Sequence, residues 1–540
     1  MPTAQVTGLS SGIDWQETIS LIMQVESQPM VMLEERKDTY QQKLEAWQEI
    51  NSKLLSLKST MESMNEMNEL LKKAVSSTDT TVATASATSE AITGSYTVEV
   101  NQLALSDKQT HEGFVDENST AVHDGPGDAT FSYDYAGESY SITVAAGTTL
   151  AGLAAAINND IDNPGVTATI LNDGSGTSTA YHLVLTGETG ASNAIENISS
   201  TLDNFSSVFT ETQTAQDAQI RVDGYPPDPD WILSSTNEIT EVISGVTLNL
   251  ISANPGETIT ISVTNDTDAA KDKIQEFVDA YNEVIALINL KTKYDAETET
   301  AGILFGDSSV ISIKNDLQTI ISSAIPGQLS NAPYSNLSAI GIESGSGGML
   351  SVDDSKLSDA LEDNFTEVGE LFALQTTSTS NNLSYFYSTS ETLGGVYNIV
   401  ANYDASGQLT SATINGNEAQ IDGDYIIGMD GNPEAGLRIL FTDPGNGPGS
   451  ISAEVRFITG AAVQVENRVE FLTDPVDGTV HYAQEGIQDT IDNIEEQIER
   501  WEERLAKKQE QLEAQFLQME ILVGQLQTQG NFISAMLSGM

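Results

Sequence analysis

Hydrophobic positions recur at helical spacing near both ends of the chain. Near the N-terminus, Asp14 precedes Glu17 by three positions, a D-x-x-E arrangement that can cap the first backbone amides of a helix. Pro29 favours the first turn of a second helix. From Leu33 the apolar residues continue at steps of three and four to Leu71. The pattern therefore predicts a short helix followed by one long amphipathic helix.

The C-terminal pattern begins at Ile487 and continues nearly to the last residue. A long helix with one apolar stripe needs a partner, and the two ends of the chain can supply each other with one. An antiparallel pairing with Leu71 near Ile487 places Leu54 opposite Leu505 or Trp501. The residues that we predict to form this coiled-coil stem are Leu44, Trp47, Leu54, Leu57, Met61, Ile491, Ile494, Ile498, Trp501 and Leu505.

Between the two helical patterns, short alternating segments are separated by Gly, Asn and Asp turns. They predict strands at 94–105, 166–171, 181–185, 246–250 and 259–263. Helical spacing returns at 150–157, 274–288, 308–324 and 353–373. The predicted fold class is α+β and multi-domain. We expect an elongated molecule with an α-helical coiled-coil stem formed by both chain ends and β-rich outer domains.

Charge and composition narrow the range of partners. The 540 residues carry 22 Lys and Arg against 79 Asp and Glu, a formal net charge of −57. Such a chain repels nucleic acid and anionic lipid, so neither is expected as a partner. We expect no membrane insertion, because the sequence lacks the roughly 18 to 20 uninterrupted apolar residues of a span. The absence of cysteine excludes disulfides, thiolate metal sites and cysteine nucleophiles.

Candidate catalytic chemistry is sparse, and we predict no catalytic residues, no cofactor and no metal site. The four histidines are far apart and form no metal-binding spacing such as H-E-x-x-H. Residues 343–349 have the glycines of a phosphate loop but lack its Lys-Ser/Thr, which favours a hairpin turn. The acidic turns at 124–128, 172–176 and 429–434 lack the full calcium loop, so plain turns are favoured over calcium binding.

Several quoted segments occur in the order typical of one family. They are GLSSGID (8–14), TGSYTVEVNQLA (93–104), TTLAGLAAAIN (148–158), FVDAYNEV (277–284), LFGDSSV (304–310), LSAIGIESGSGGMLSVDDSKL (337–357) and QFLQMEILVGQLQTQGNFISAML (515–537). Together they resemble the bacterial flagellar filament cap proteins, the flagellar hook-associated protein 2 family. Residues 148–158 are also similar to a repeat shared by flagellins and hook-associated proteins. The likeness departs at about 375–460, and Ser10 replaces a frequent Gly.

The resemblance implies a function at the distal tip of the flagellar filament, outside the cell. Proteins of this family form a ring there, retain exported flagellin and promote its folding and polymerisation. The implied partners are flagellin, hook–filament junction proteins, further copies in a cyclic homo-oligomer and a flagellar type III export chaperone. The start of the chain then resembles an export and docking element rather than a cleaved signal peptide. The residues that we expect to dock on the filament are Leu9, Ile13, Ile19, Ile22, Met23, Leu526, Ile533 and Leu537.

The resemblance also gives the domain boundaries. We expect a docking and export segment (1–30), an N-terminal stem helix (31–75), linker strands (76–110), a β-rich outer part with a flagellin-type repeat (111–268), a segment returning to the stem (269–374), an inserted β-rich module (375–460) and a C-terminal stem helix with a docking segment (461–540). The alternative function is a secreted surface adhesin whose acidic β-rich domains bind glycans or mucus. Neither function is enzymatic.

Overall fold

A computed structural model of the protein describes residue 12 and residues 14–538. The chain divides into two compact units. One unit combines the residues up to Leu70 with those from Lys271 onward, and the other is Leu71–Ala270. Helices and antiparallel sheets both contribute, so the predicted mixed α+β, multi-domain fold class is confirmed.

The described residues contain ten α-helices. Their bounds are Trp15–Glu26 (α1), Gln28–Glu62 (α2), Met67–Leu70 (α3), Leu150–Asn158 (α4), Thr267–Thr292 (α5), Ser308–Ser322 (α6), Asp354–Asp363 (α7), Phe365–Glu370 (α8), Ala461–Thr473 (α9) and Thr479–Ser538 (α10). The predicted cap and the predicted second helix start are both confirmed. Asp14 accepts hydrogen bonds from the amides of Gln16 and Glu17 at 3.1 Å, and Pro29 lies in the first turn of α2.

Helices α2 and α10 run antiparallel, but the predicted register is wrong. Lys37 Nζ lies 2.7 Å from Glu495 Oε1, whereas the prediction placed Glu495 opposite Ser63. Nearer the start of α2, Glu26 contacts Lys508 at 3.8 Å. With Lys37 opposite Glu495, Leu54 lies level with the start of α10, whereas Leu505 lies level with the start of α2.

The register differs because α9 occupies the place that the prediction gave to α10. Glu466 of α9 accepts a 2.7 Å hydrogen bond from Asn65, and Glu470 lies 3.7 Å from Lys58. The buried residues Val465 and Val469 of α9 had not been included in the stem pattern. Helix α2 also ends at Glu62, before the Leu71 to which the pattern extended it.

Helix α2 is joined to α6 by a buried indole. Trp47 is fully buried, and its Nε1 donates to Asp307 Oδ2 at 3.3 Å. The other oxygen of Asp307 caps α6 by accepting from the amides of Ser309 and Val310. The aspartate of the LFGDSSV segment therefore has a structural role. Its carboxylate caps the start of α6 and accepts the hydrogen bond of the buried indole on α2.

The unit Leu71–Ala270 is built mainly from antiparallel strands. They are Lys73–Ser77 (β1), Ala83–Ala87 (β2), Gly94–Gln102 (β3), Ser106–His111 (β4), Ala121–His123 (β5), Ala129–Tyr135 (β6), Glu138–Val144 (β7), Thr148–Thr149 (β8), Thr167–Asn172 (β9), Tyr181–Thr189 (β10), Ile195–Ser200 (β11), Phe209–Gln213 (β12), Ala218–Val222 (β13), Ile232–Ser234 (β14), Glu238–Ile243 (β15), Val246–Leu250 (β16) and Thr258–Asn265 (β17).

Two hydrophobic clusters form the cores of this unit. One lies among β1, β3, β13 and β17, whose sheet order is β1-β17-β3-β13-β14, together with the sheet β15-β16-β2. The other collects side chains of α4 and of the sheets β12-β4-β10-β9 and β11-β6-β7. Strand β16 shows why the sequence pattern predicted strands, since Val246, Leu248 and Leu250 alternate inward and the residues between them do not.

The remaining strands belong to the unit that contains the long helices. They are Tyr294–Asp295 (β18), Thr300–Ala301 (β19), Ile342–Ser344 (β20), Leu350–Val352 (β21), Leu374–Ser378 (β22), Leu383–Tyr387 (β23), Gly395–Tyr403 (β24), Leu409–Ile414 (β25), Asn417–Glu418 (β26), Gln420–Asp422 (β27), Tyr425–Ile427 (β28), Arg438–Phe441 (β29) and Gly449–Thr459 (β30). Strands β22 to β30 fall within the stretch for which the sequence predicts an inserted module. They form the sheets β22-β30-β24-β25-β26 and β23-β29-β28-β27 around one hydrophobic cluster.

The glycine-rich segment 343–349 connects two strands of a hairpin, as predicted, and the hairpin is held by α5. Asn282 of α5 donates to the carbonyl of Leu350 at 2.9 Å and accepts from the amide of the same residue at 2.7 Å. Gly348 has a φ of +84°, a left-handed backbone conformation that favours glycine. Two of the segments that carry the family resemblance, FVDAYNEV and ESGSGGML, are therefore in direct contact.

Candidate docking surface

Helix α1 packs on α10 through an aromatic residue near its start, in addition to the contact of Glu26 with Lys508 at its end. The Trp15 ring lies 4.5 Å from the Phe516 ring, centroid to centroid, and Trp15 Nε1 donates to Glu520 Oε1 at 2.6 Å. Trp15 is 7% exposed, and Ile19 one turn later is also buried. A hydrogen bond to a carboxylate is stronger than one between neutral groups, so this contact fixes both the position and the orientation of α1.

Burial decreases steadily along α10. Ile491 and Ile494 are 3% and 1% exposed, where α2 covers the helix. Ile498, Trp501 and Leu505 are half-buried. The last part of the helix has no formal charge from Ile521 to Ser538, and its large apolar side chains are more than half exposed. They are Ile521, Leu522, Leu526, Phe532, Ile533, Met536 and Leu537.

The outward face of α1 and of the start of α2 is apolar as well. Leu21, Val25 and Met32 are exposed, while Ile22 and Met23 are half-buried. Helix α1 therefore has apolar side chains on two faces, one against α10 and the other toward solvent. Exposed apolar side chains on a helix that also packs inward make this face a candidate interaction site.

The predicted site residues fall into two groups. In the stem, Trp47, Leu54, Leu57 and Met61 are buried in α2, whereas Leu44 is half-buried. Of the residues expected to dock, Leu526, Ile533 and Leu537 are exposed, while Ile19 is covered. Leu9 and Ile13 lie outside the described residues.

Three residues of this surface were missing from the predicted set. Trp15, Phe516 and Glu520 form the contact between α1 and α10, but the sequence analysis did not pair them. Glu520 carries the last charge of α10 and lies one turn from Phe516. A carboxylate beside an aromatic residue on the apolar stripe could have indicated this contact, because a partly buried carboxylate needs a hydrogen-bond donor.

The acidic turn DGPGD is anchored by a histidine of the unit Leu71–Ala270. His123 is buried; its Nδ1 contacts the Asp203 carboxylate and its Nε2 lies 2.9 Å from the carbonyl oxygen of Gly127. Both partners are acceptors, so both ring nitrogens donate. The hydrogen bond to Gly127 is the main cause that raises the pKa of His123 above 6.5, and Asp203 raises it further. A charged histidine thus stabilises the turn.

His111, the other deeply buried histidine of this unit, is held in the opposite state. Its Nδ1 accepts from the amide of Gly113 at 3.1 Å, so its Nε2 carries the proton and donates to Ser206 Oγ at 3.1 Å. Ser206 in turn donates to Glu112 at 2.6 Å. Burial lowers the pKa of His111. Since the imidazole donates to the serine, it is not placed to take the serine's proton as a catalytic base does.

Within residue 12 and residues 14–538, no group of three or more His, Cys, Asp or Glu side chains is arranged to hold a metal ion. The helices of that same part of the chain were compared with the length and hydropathy of membrane spans. None of them is both long enough and apolar enough to cross a bilayer.

Family profiles match most of the chain. The profile of the flagellar hook-associated protein 2 C-terminus matches residues 215–528, and that of the N-terminus matches residues 11–107. A third profile, the flagellin hook IN motif, matches residues 130–189, which contain α4 and strands β6 to β10. The last match agrees with the repeat noted in the sequence at 148–158.

Individual relatives agree with these profiles. The A-type flagellar hook-associated protein 2 of Pseudomonas aeruginosa is 31% identical over 397 residues, which cover 68% of this chain and 80% of the relative. The flagellar hook-associated protein 2 of Escherichia coli K12 is 28% identical over 419 residues, covering 72% and 86% of the two chains. A crystal structure of three domains of the flagellar cap protein from Escherichia coli superposes with a TM-score of 0.51 at 28% identity, covering 60% of this chain and 89% of that one.

With these matches, the fold is that of a flagellar hook-associated protein. The chain belongs to the flagellar hook-associated protein 2 family.

Proposed function

We propose that this chain caps the distal tip of a bacterial flagellar filament. In this role it binds the filament end, retains exported flagellin and promotes the folding and polymerisation of flagellin. The observation that carries the proposal is the uncharged, exposed end of α10, found in a member of a flagellar cap family. The role is structural and needs no catalytic residue.

The exposed end of α10 is suited to docking by its length and its chemistry. Residues 521–538 extend for about 27 Å at the usual rise of an α-helix. Burial of one large apolar side chain contributes about 1.5 to 3 kcal/mol, so three of them offset a substantial part of the cost of association. Leu526, Ile533 and Leu537 are free to be covered by flagellin, whereas Ile19 already has a partner within the chain.

The proposed partners follow from this role. They are flagellin, the hook–filament junction proteins before flagellin polymerises, a flagellar type III export chaperone and further copies of the chain. Copies that contact one another head to tail close into a cyclic ring, which is the assembly we propose at the secreted, distal position.

Complementation of a deletion strain tests the proposal. Wild-type protein should restore filaments, whereas Leu526→Asp with Ile533→Asp should leave short or absent filaments and flagellin in the medium. Ile161→Asp with Leu171→Asp is the matched control, since Ile161 is 96% exposed and Leu171 is exposed in the other unit. Full capping by the double aspartate variant of α10, with the variant confirmed as folded, would contradict the proposed docking surface.

Adhesion is the second candidate function, and one surface favours it. On the inserted module, Phe386 and Tyr387 are exposed, and the Phe386 ring lies 4.6 Å from the Tyr425 ring. Exposed aromatic patches mark interaction sites. A deletion strain with normal filaments and poor surface attachment would support adhesion and count against the cap.

A further inference from the structure

The charges of α10 are distributed unevenly along the helix. The stretch from Glu485 to Glu499 holds only acids among its formal charges. All Lys and Arg residues of the helix follow within nine positions, from Arg500 to Lys508, where four cations outnumber Glu502 and Glu503. Three further glutamates, Glu510, Glu513 and Glu520, come after them. The part from Ile521 to Ser538 is uncharged. One short cationic segment thus lies on a chain whose net charge is −57.

The cationic segment borders a shallow cavity that we call the cationic notch. It has a volume of about 250 Å³ and is lined by Glu26, Trp501, Arg504, Leu505, Lys507 and Lys508. The Arg504 guanidinium carbon lies 4.7 Å from the centre of the Trp501 ring. Arg504 is thereby held over an aromatic surface, and tryptophan and arginine are the residues that most often dominate protein interfaces.

Cations of the stem differ in whether a carboxylate lies within reach. Among the described residues, Arg36 and Lys43 of α2 form no ion pair and lie beside the Tyr40 ring, while other cations of α2 are paired. Lys37, Lys53 and Lys58 each contact a carboxylate of another helix, at 2.7, 2.8 and 3.7 Å. In the notch, Lys508 contacts Glu26 at 3.8 Å. Among the described residues, no carboxylate lies within 4 Å of the charged nitrogens of Arg504 or Lys507. Two adjacent cations therefore face solvent beside Trp501.

Copies of such an acidic chain repel one another, so contact between them needs local attraction. The acidic segment of α10 offers a complementary surface. Asp489, Asp492 and Glu496 are exposed and lie at i, i+3 and i+7, on one face of the helix. The same helix therefore presents an anionic face and, further along, the cationic notch.

We propose that the cationic notch binds the α10 acidic face, Asp489, Asp492 and Glu496, of a second copy of this chain. This inference rests on the proposed assembly of copies at the filament tip, and it names the contact between neighbouring stems. Because two different surfaces meet, the contact is heterologous and repeats from copy to copy. The segments are about 20 Å apart along the helix axis, so in a closed ring the stems must be inclined to the ring axis for the two surfaces to meet.

Sedimentation velocity of the full chain, over a range of concentrations at low and high salt, tests the contact. The notch variant is Arg504→Glu with Lys507→Glu, and the face variant is Asp489→Lys with Asp492→Lys. The reciprocal variant carries all four substitutions. The control Lys72→Glu with Lys293→Glu makes the same change in net charge at exposed lysines outside the notch. Circular dichroism checks that each variant keeps its helix content.

We expect the notch variant and the face variant each to weaken self-association at least about tenfold at low salt. The reciprocal variant should restore it, and the control should associate like the wild type. High salt should weaken wild-type association, because it screens exposed charges. Double variants that associate normally, or a reciprocal variant that stays weak, would overturn the contact.

The same proteins, expressed in the deletion strain, separate this inference from the proposed function. Wild-type protein that restores filaments while the notch and face variants associate normally overturns the stem contact only. Wild-type protein that fails to restore filaments overturns the cap itself. A wild type that caps but is monomeric at every concentration overturns the notch contact as a source of assembly.

Discussion

An apolar stripe runs along helix α10, and it is buried near the start of the helix but exposed at the end. Near its start, Ile491 and Ile494 are buried against α2, so the chain completes this part of its own core. At its end, Ile533 and Leu537 are exposed on a part of the helix that carries no charge. One continuous helix therefore has a covered part and an exposed part. Its first part stabilises the fold, and its last part is the surface that we propose to dock on the filament.

One substitution made at both ends should distinguish these two parts. Ile494→Ala should lower the free energy of unfolding by about 2 to 5 kcal/mol, because it leaves a cavity in a packed site. Ile533→Ala should change stability by no more than about 0.5 kcal/mol, since nothing in the isolated chain covers the side chain. Urea denaturation measures both values. Equal destabilisation by the two variants would contradict the comparison.

The difference between the two ends was only partly predictable from the sequence. The spacing of Ile491, Ile494 and Ile533 predicts which face of the helix is apolar. The five predicted strand segments coincide with strands of the structure, but most strands and helix α9 were not predicted. An apolar stripe has the same spacing whether its own chain or another chain covers it. The sequence also could not show that α9 precedes α10 against α2, so the predicted Leu54 to Leu505 pairing was wrong.

A smaller effect is expected at the contact between α1 and α10, which lies between the buried and the exposed parts of α10. Trp15→Ala removes the ring contact with Phe516 and the hydrogen bond to Glu520, and should release α1 from α10. Trp15→Phe keeps an aromatic ring and should cost about 1 kcal/mol through the lost hydrogen bond. Hydrogen exchange of the amides of Trp15–Glu26 measures the release. Unchanged protection in the alanine variant would show that other contacts hold α1.

A smaller effect is expected in the unit Leu71–Ala270, which encloses its own cores. The pKa of His123 is raised on folding, so its contribution to stability is complete below pH 6.5 and is lost as pH rises through the folded value. The melting temperature of the wild type should therefore approach that of His123→Gln between about pH 6 and about pH 9. His111→Gln is the contrast, because a lowered pKa makes its contribution fall on acidification. A constant difference between wild type and His123→Gln across this range would contradict a charged His123.

Sequence reasoning missed this histidine because its partner is distant along the chain. Asp203 follows His123 by 80 positions, and no spacing motif connects them. The sequence predicts a plain turn beside His123, but it did not predict the histidine that anchors this turn. Fold topology brings β5 and the segment after β11 together, and that information is not contained in local periodicity.

The smallest effect on stability is expected for the ion pair between Lys37 of α2 and Glu495 of α10. Lys37→Glu should lower stability by at most about 1 kcal/mol, since the pair with Glu495 is partly exposed. Lys37→Glu combined with Glu495→Lys should recover most of the loss. Chemical denaturation of the single and double variants gives the coupling energy. A coupling energy of zero would leave the register to be tested by cross-linking of cysteines introduced at these two positions.

The absence of charge in residues 521–538 has a consequence for the behaviour of an assembled cap in salt. Docking through an uncharged apolar helix depends little on ionic strength, whereas attraction between the notch and an acidic face is screened. If both proposed contacts form, rising salt weakens the binding between neighbouring copies, while the binding of each copy to the filament changes little. Neighbouring copies then become able to shift independently without leaving the tip.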